Sequence, residues 1–206
     1  MTQQDEIRDP EALRAHLGEP SDLVRRKKLR RLDRHCRRFI ALSPFLVLST
    51  ADAEGTCDAS PRGDAPGFVS VLDDGRLLIP ERRGNKLADS LLNILANPRV
   101  GLIFLIPGVE ESLRVNGRAG LTRDPALLAP LAAQGKAPEA GILVEVEEAF
   151  LHCGKALIRA RLWDPGARIR RDSLPSLGRM IADQVSGYDS EETEAHVQES
   201  YRKRLY

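Results

Sequence analysis

Aromatic residues are scarce in this chain, 4% of 206 positions, which removes the stacking platform that a single-stranded nucleic acid needs. An excess of one charge is missing too. The 31 Lys and Arg against 30 Asp and Glu leave a net charge of +1, too little for a global field that attracts polyanions or acidic membranes. No window approaches the roughly 20 consecutive apolar residues of a membrane span. Met1 to Asp9 is polar and acidic, unlike a secretory signal. Cysteines number only three, Cys36, Cys57 and Cys153, without close spacing. They suit a reducing cytoplasm and supply no zinc set. No Walker loop, G-x-G-x-x-G, G-x-S-x-G or HExxH occurs, so the usual visible routes to kinase, dinucleotide or hydrolytic chemistry are closed.

What is present is the composition of a soluble globular protein, 42% apolar and 30% charged. Residues 10 to 42 read as helical, with Leu29, Leu32, Cys36, Phe39 and Ile40 as an apolar stripe beside the basic run Arg25 to Arg31. That run reads as a solvated helix face rather than a nucleic-acid patch. From Phe45 the texture changes to short strands and turns. Strands are expected at Phe45–Thr50, Thr56–Ser60, Phe68–Leu72, Arg76–Ile79, Val100–Ile106, Ser112–Leu121 and Ile142–Val146, the last reaching toward Leu151. Pro61 to Gly67 reads as a loop. About seven short strands with hairpin turns predict an antiparallel barrel or sandwich, a mainly β, α+β protein. Helices over 176–186 and 190–204 close the chain.

The stretch from Arg76 to Pro98 carries the most chemistry. It reads as an apolar strand, a basic loop Arg82-Arg-Gly-Asn-Lys86, and an amphipathic helix. Asn85 is the expected cap, Leu87, Leu91, Ile94 and Leu95 the expected buried face, and Asn97-Pro98 the stop. A helix start offers free N–H groups and the positive end of the dipole, so cations gathered there mark an anion site, most simply for a phosphate. Lysine occupies only six positions in the chain, yet one lies in this loop. Ser60-Pro-Arg-Gly-Asp64 is a second candidate, bringing Arg62 toward the same ligand. Glu110 to Gly117 alternates as a half-buried strand does. His152-Cys153 resembles a nucleophile and base, but neighbours on a strand point to opposite faces. Lys155 and Arg159 are better placed as anion contacts.

In this order, Ser60-Pro-Arg-Gly-Asp-Ala-Pro-Gly-Phe-Val69, Leu78-Ile-Pro80, Arg83-Gly-Asn-Lys86, Asn97-Pro-Arg-Val-Gly-Leu-Ile-Phe104, Leu113-Arg-Val-Asn-Gly-Arg118 and His152-Cys-Gly-Lys-Ala156 resemble the pyridoxamine 5'-phosphate oxidase-like flavin proteins. More narrowly they resemble a bacterial branch assigned as FMN-dependent enzymes. The likeness runs from about Leu29 to Pro165.

The resemblance implies an antiparallel split β-barrel over 43–165, a helical segment over 1–42 packed on it, and a helical extension over 166–206. It implies FMN held at a homodimer interface in a cytoplasmic oxidoreductase. Arg83, Asn85 and Lys86 would grip the phosphate. Ser60, Pro61 and Arg62 would line the flavin, with Ile79 and Pro80 flanking its ring. Glu111, Ser112 and Lys155 would come from the second subunit. The same barrel hosts proteins of the deazaflavin F420 and of haem, and haem is disfavoured because no histidine stands as an axial ligand. A flavin- or F420-binding protein without turnover is the alternative to an enzyme. One basic loop matches the single phosphate of FMN, whereas a dinucleotide asks for a glycine-rich turn. Redox chemistry belongs to the flavin, which explains why no catalytic triad or metal set is visible and leaves the substrate unnamed.

Overall fold

Alternation of apolar and polar residues from Phe45 onward builds one antiparallel sheet. The computed structural model describes residues 6–206. The strands are β1 (Phe45–Ala51), β2 (Cys57–Gly63), β3 (Ser70–Val71), β4 (Arg76–Pro80), β5 (Arg99–Leu105), β6 (Ser112–Thr122) and β7 (Gly141–His152). Their spatial order is β2-β1-β5-β6-β7-β4-β3. All pairings are antiparallel, and the sheet does not close, because β2 and β3 stay as its edges. In place of a closed barrel the strands form one open sheet.

The core lies on one face. Leu46 and Leu48 of β1, Leu102 and Phe104 of β5, and Leu113 and Val115 of β6 are all fully buried. Burial of each such side chain stabilises by about 1.5–3 kcal/mol. Leu113, Val115, Gly117 and Ala119 share that face, as the alternation predicts. The register between β6 and β7 shifts at Asn116/Gly117. A Cβ on Gly117 would meet the Glu145 carbonyl oxygen at 2.0 Å, so only glycine fits at this bulge.

The helical N-terminal reading needs correction. Residues 10 to 42 form three helices, not one: α1 (Pro10–Leu17), α2 (Asp22–Arg26) and α3 (Arg34–Leu42). Leu29 is not helical. Its N–H and C=O bond the Ala149 backbone at 2.9 and 2.8 Å, which pins the segment to β7. Only α3 packs inward, through Cys36, Phe39 and Ile40, and α1 and α2 bury nothing. Asp33 caps α3 by accepting from the His35 and Cys36 N–H groups. The first five residues of the 1–42 segment lie outside the described ones.

Strand β2 extends through Pro61, Arg62 and Gly63, where a loop is expected. Proline is tolerated because β2 is an edge strand. Beyond β7 come α6 (Lys155–Ala160), α7 (Leu177–Gln184) and α8 (Ser190–Lys203), while α4 (Asp89–Ala96) and the short α5 (Pro125–Leu128) lie between strands. The α7–α8 hairpin packs closely: Gly178 donates to Glu194 at 2.9 Å, and a Cβ at Gly178 would collide with the Glu194 backbone. No helix among the described residues is long and apolar enough to cross a membrane.

Candidate functional site

The loop between β4 and α4 departs from a simple helix start. Lys86 and Ala88 both adopt left-handed backbone, with φ of 65° and 60°. Neither is glycine, and such a conformation is costly for side-chain-bearing residues. The helix therefore begins at Asp89, not at Lys86. Ala88 is the residue at its cap, and no side chain caps it. Asn85 is not the cap; its Oδ1 accepts the Leu87 N–H at 3.1 Å and turns the loop. Of the expected buried face, Ile94 is buried and Leu91 half-buried, whereas Leu87 and Leu95 are 63% and 71% exposed.

Two ion pairs tie this loop to the end of β2 across the open side of the sheet. Arg62 meets Glu81 at 2.7 Å, and Arg82 meets Asp64 at 2.7 Å. Arg62 points inward from β2, as do Asp58 and Ser60, each half-buried. Asp58 accepts from Ser90 of α4 at 2.9 Å. The Nε of Arg62 is buried without a hydrogen-bond partner. Arg83 and Lys86 are exposed, and among the described residues neither has a carboxylate in ion-pair range. Arg82, by contrast, spends its charge on Asp64.

The phenol of Tyr206 donates to the other oxygen of Asp64 at 2.7 Å. Burial works to raise the Asp64 carboxyl. The hydrogen bonds from Tyr206 and the Ala65 N–H, together with the Arg82 charge, outweigh burial and hold it below the usual carboxylate range.

Ser60 faces inward beside Arg62, and Pro61 faces out. Ile79 is fully buried in the core, and Pro80, also buried, ends β4. Glu111 is exposed, Ser112 is buried at the start of β6, and Lys155 is exposed at the start of α6. Ser112 pairs with His152 at one end of β7, whereas Pro80 pairs with Gly141 at the other. The structure thus brings Ser60, Arg62 and the loop over 81–86 together, and gathers Glu111, Ser112 and Lys155 separately. Cys153 is exposed, and His152 packs its ring 4.6 Å from Phe150 rather than on a thiol. Burial, then Arg114 and Lys27, push the His152 imidazole below its ordinary value.

No group of three or more metal-ligating side chains occurs among the described residues. A shallow surface depression of about 650 Å³ along Arg171, Leu174 and Glu194 contains none of the predicted residues. A family model described as pyridoxamine 5'-phosphate oxidase matches residues 32–153, the whole of the sheet and the loop.

The chain belongs to the pyridoxamine 5'-phosphate oxidase family.

Solved structures similar to this family member include HupZ from Group A Streptococcus, at 18% identity and a TM-score of 0.49, covering 58% of this chain and 93% of that one. An FAD binding protein from Mycobacterium smegmatis is 20% identical with a TM-score of 0.41, covering 60% and 94%. The heme storage protein HutZ from Vibrio cholerae is 19% identical with a TM-score of 0.41, covering 60% and 94%. No curated protein matches.

Sequence reasoning missed Glu81 and Tyr206. Glu81 carries a visible signal, a lone acid before two arginines after an apolar strand. Tyr206 lies 142 residues from its partner Asp64, and no local pattern marks it.

Proposed function

We propose that this chain is an FMN-dependent oxidoreductase that works as a homodimer in the cytoplasm on a small molecule or electron donor not yet identified. The observation that carries the reading is a loop whose free cations, Arg83 and Lys86, stand beside left-handed backbone and an uncapped helix start. Two cations at the positive end of a helix outnumber the one acid of its first turn, Asp89, and a phosphate relieves the excess.

The residues present fit the group. Arg83, Asn85 and Lys86 would hold the phosphate. Ser60, Pro61 and Arg62 would lie along the ring, and the buried, unpartnered Nε of Arg62 is a donor awaiting an acceptor. Ile79, whose side chain is buried and whose strand pairs with β7, and Pro80 at the end of β4 would flank the ring. Glu111, Ser112 and Lys155 would come from a second copy, which agrees with their gathering apart from the loop. Leu87, Leu92 and Leu95 expose apolar side chains on and before α4, beside the site, where a second copy would cover them. The flavin supplies electron transfer; the chain binds it, orients it and excludes water.

The test is direct. Purified protein should be yellow, and mass spectrometry of the small molecule released on denaturation should give FMN; the mass of F420 would move the reading to that cofactor. Lys86→Ala should lose the flavin. Colourless protein that cannot be reconstituted with FMN would sink the proposal. Stopped-flow reduction by NADH or NADPH then separates an enzyme from a binding protein without turnover.

A further inference from the structure

After α8 the chain returns to the loop just described. Residues after α8 carry Tyr206 to the sheet, where it is half-buried, while Tyr188 and Tyr201 are exposed. Its hydroxyl holds Asp64 Oδ1 at 2.7 Å, and Arg82 Nε holds Asp64 Oδ2 at 2.7 Å. The Arg82 guanidinium lies 5.8 Å from the centre of the Tyr206 ring, within cation–π range. Lys136 donates to the main-chain oxygen of Tyr206 at 3.4 Å. The Asp64 side chain is 5% exposed, so it is a buried acceptor with both oxygens occupied.

Arg82 is the last residue of the loop with a partner before the free cations begin. Arg83 is the next residue, so fixing Arg82 fixes where the chain presents the first of those free cations. We infer that Tyr206 is a positioning residue of the cofactor loop: by holding Asp64 it holds Arg82, and so sets the phosphate grip. This rests on the reading of the loop as that grip. The carboxylate cannot be held as well by water alone, since a buried charge-assisted pair loses most when one partner is removed. Tyr206 acts on the phosphate end only, and its effect on a flavin without phosphate is nil.

Titration of FMN and riboflavin by flavin fluorescence tests this. Tyr206→Ala should weaken FMN about tenfold and leave riboflavin unchanged, as one net hydrogen bond to a charged group predicts. Tyr206→Phe, which keeps the ring over Arg82, should fall between Tyr206→Ala and wild type, and Tyr201→Phe should match wild type. Wild-type FMN affinity in Tyr206→Ala, with affinity lost in Lys86→Ala, overturns the inference and leaves the loop reading standing. Equal affinity of wild-type protein for FMN and riboflavin overturns the loop reading. A flavin-independent measurement checks the latch itself. Carboxypeptidase should release Tyr206 from the 206-residue Asp64→Ala chain several times faster than from wild type, and equal rates overturn it.

Discussion

One nitrogen of Arg62, Nη1, sits 2.7 and 2.9 Å from the two carboxylate oxygens of Glu81, joining β2 to the residue that follows β4. These two strands share no ladder, so the pair bridges the open side of the sheet where backbone bonds do not. Both side chains are mostly buried, at 16% and 23% exposure. Removing one partner leaves the other charge poorly solvated. Glu81→Ala should therefore destabilise by about 1–3 kcal/mol in urea unfolding. The Arg62→Met, Glu81→Leu double variant should cost less than the sum of the two single variants. Strict additivity would mean that the pair contributes nothing.

Among the described residues Arg83 and Lys86 have no carboxylate partner, whereas Arg82 is engaged. Arg83→Ala and Lys86→Ala should each weaken FMN about 10–100-fold, the range for a charge-assisted hydrogen bond. Thermal stability should stay near wild type, because both side chains are exposed. Calorimetric titration reads both quantities.

Cys36 is buried on α3, while Cys57 and Cys153 are exposed. Burial, then the hydrogen bond and charge of Asp33, push the Cys36 thiol up to about 11. A thiol held protonated and out of solvent does not react. A colorimetric thiol reagent at neutral pH should therefore label two sites quickly in the native chain, and the third only after denaturation. Three fast labels would show that α3 does not seat as described.

The tail contact is bounded by pH on both sides. Asp64 faces Arg82 from the loop and Tyr206 from the tail, and its carboxyl is lowered. A lowered acid contributes stability above the ordinary value, about 3.9, and that is lost as pH falls through its folded value. Tyr206 is raised, first by its hydrogen bond to Asp64, then by burial and the Asp64 charge, with Arg82 opposing. Its contribution is present below about pH 10 and lost as pH rises through the folded value. NMR of labelled tyrosine should show the Tyr206 ring released at both extremes. In Asp64→Ala, which removes the acceptor, the ring should be free at neutral pH as well.

The strands from β4 to β7 were legible because apolar alternation and turn residues are local signals. Leu113 to Ala119 alternates in the sequence as it does in burial. The edge strand β2 was legible only in part. Pro61 reads as a loop residue until its neighbours show that nothing pairs beyond it. The N-terminal stripe misled because Leu29 and Leu32 are buried by the sheet, not by a helix: Leu29 bonds Ala149, and the Leu32 N–H bonds the Asp74 carbonyl. Asn85 misled because a good cap residue is also a good turn residue, and the loop turned.

The amino-acid sequence by itself determined the run of short strands, the cationic loop and the family, because periodicity and residue order act over a few positions. Tertiary structure alone decided which cations stay free. Arg82 and Arg83 are neighbours in the chain. Only folding brings Asp64 and Tyr206 to one of them and, among the described residues, leaves the other unpaired, since a charge takes its partner from space rather than from sequence.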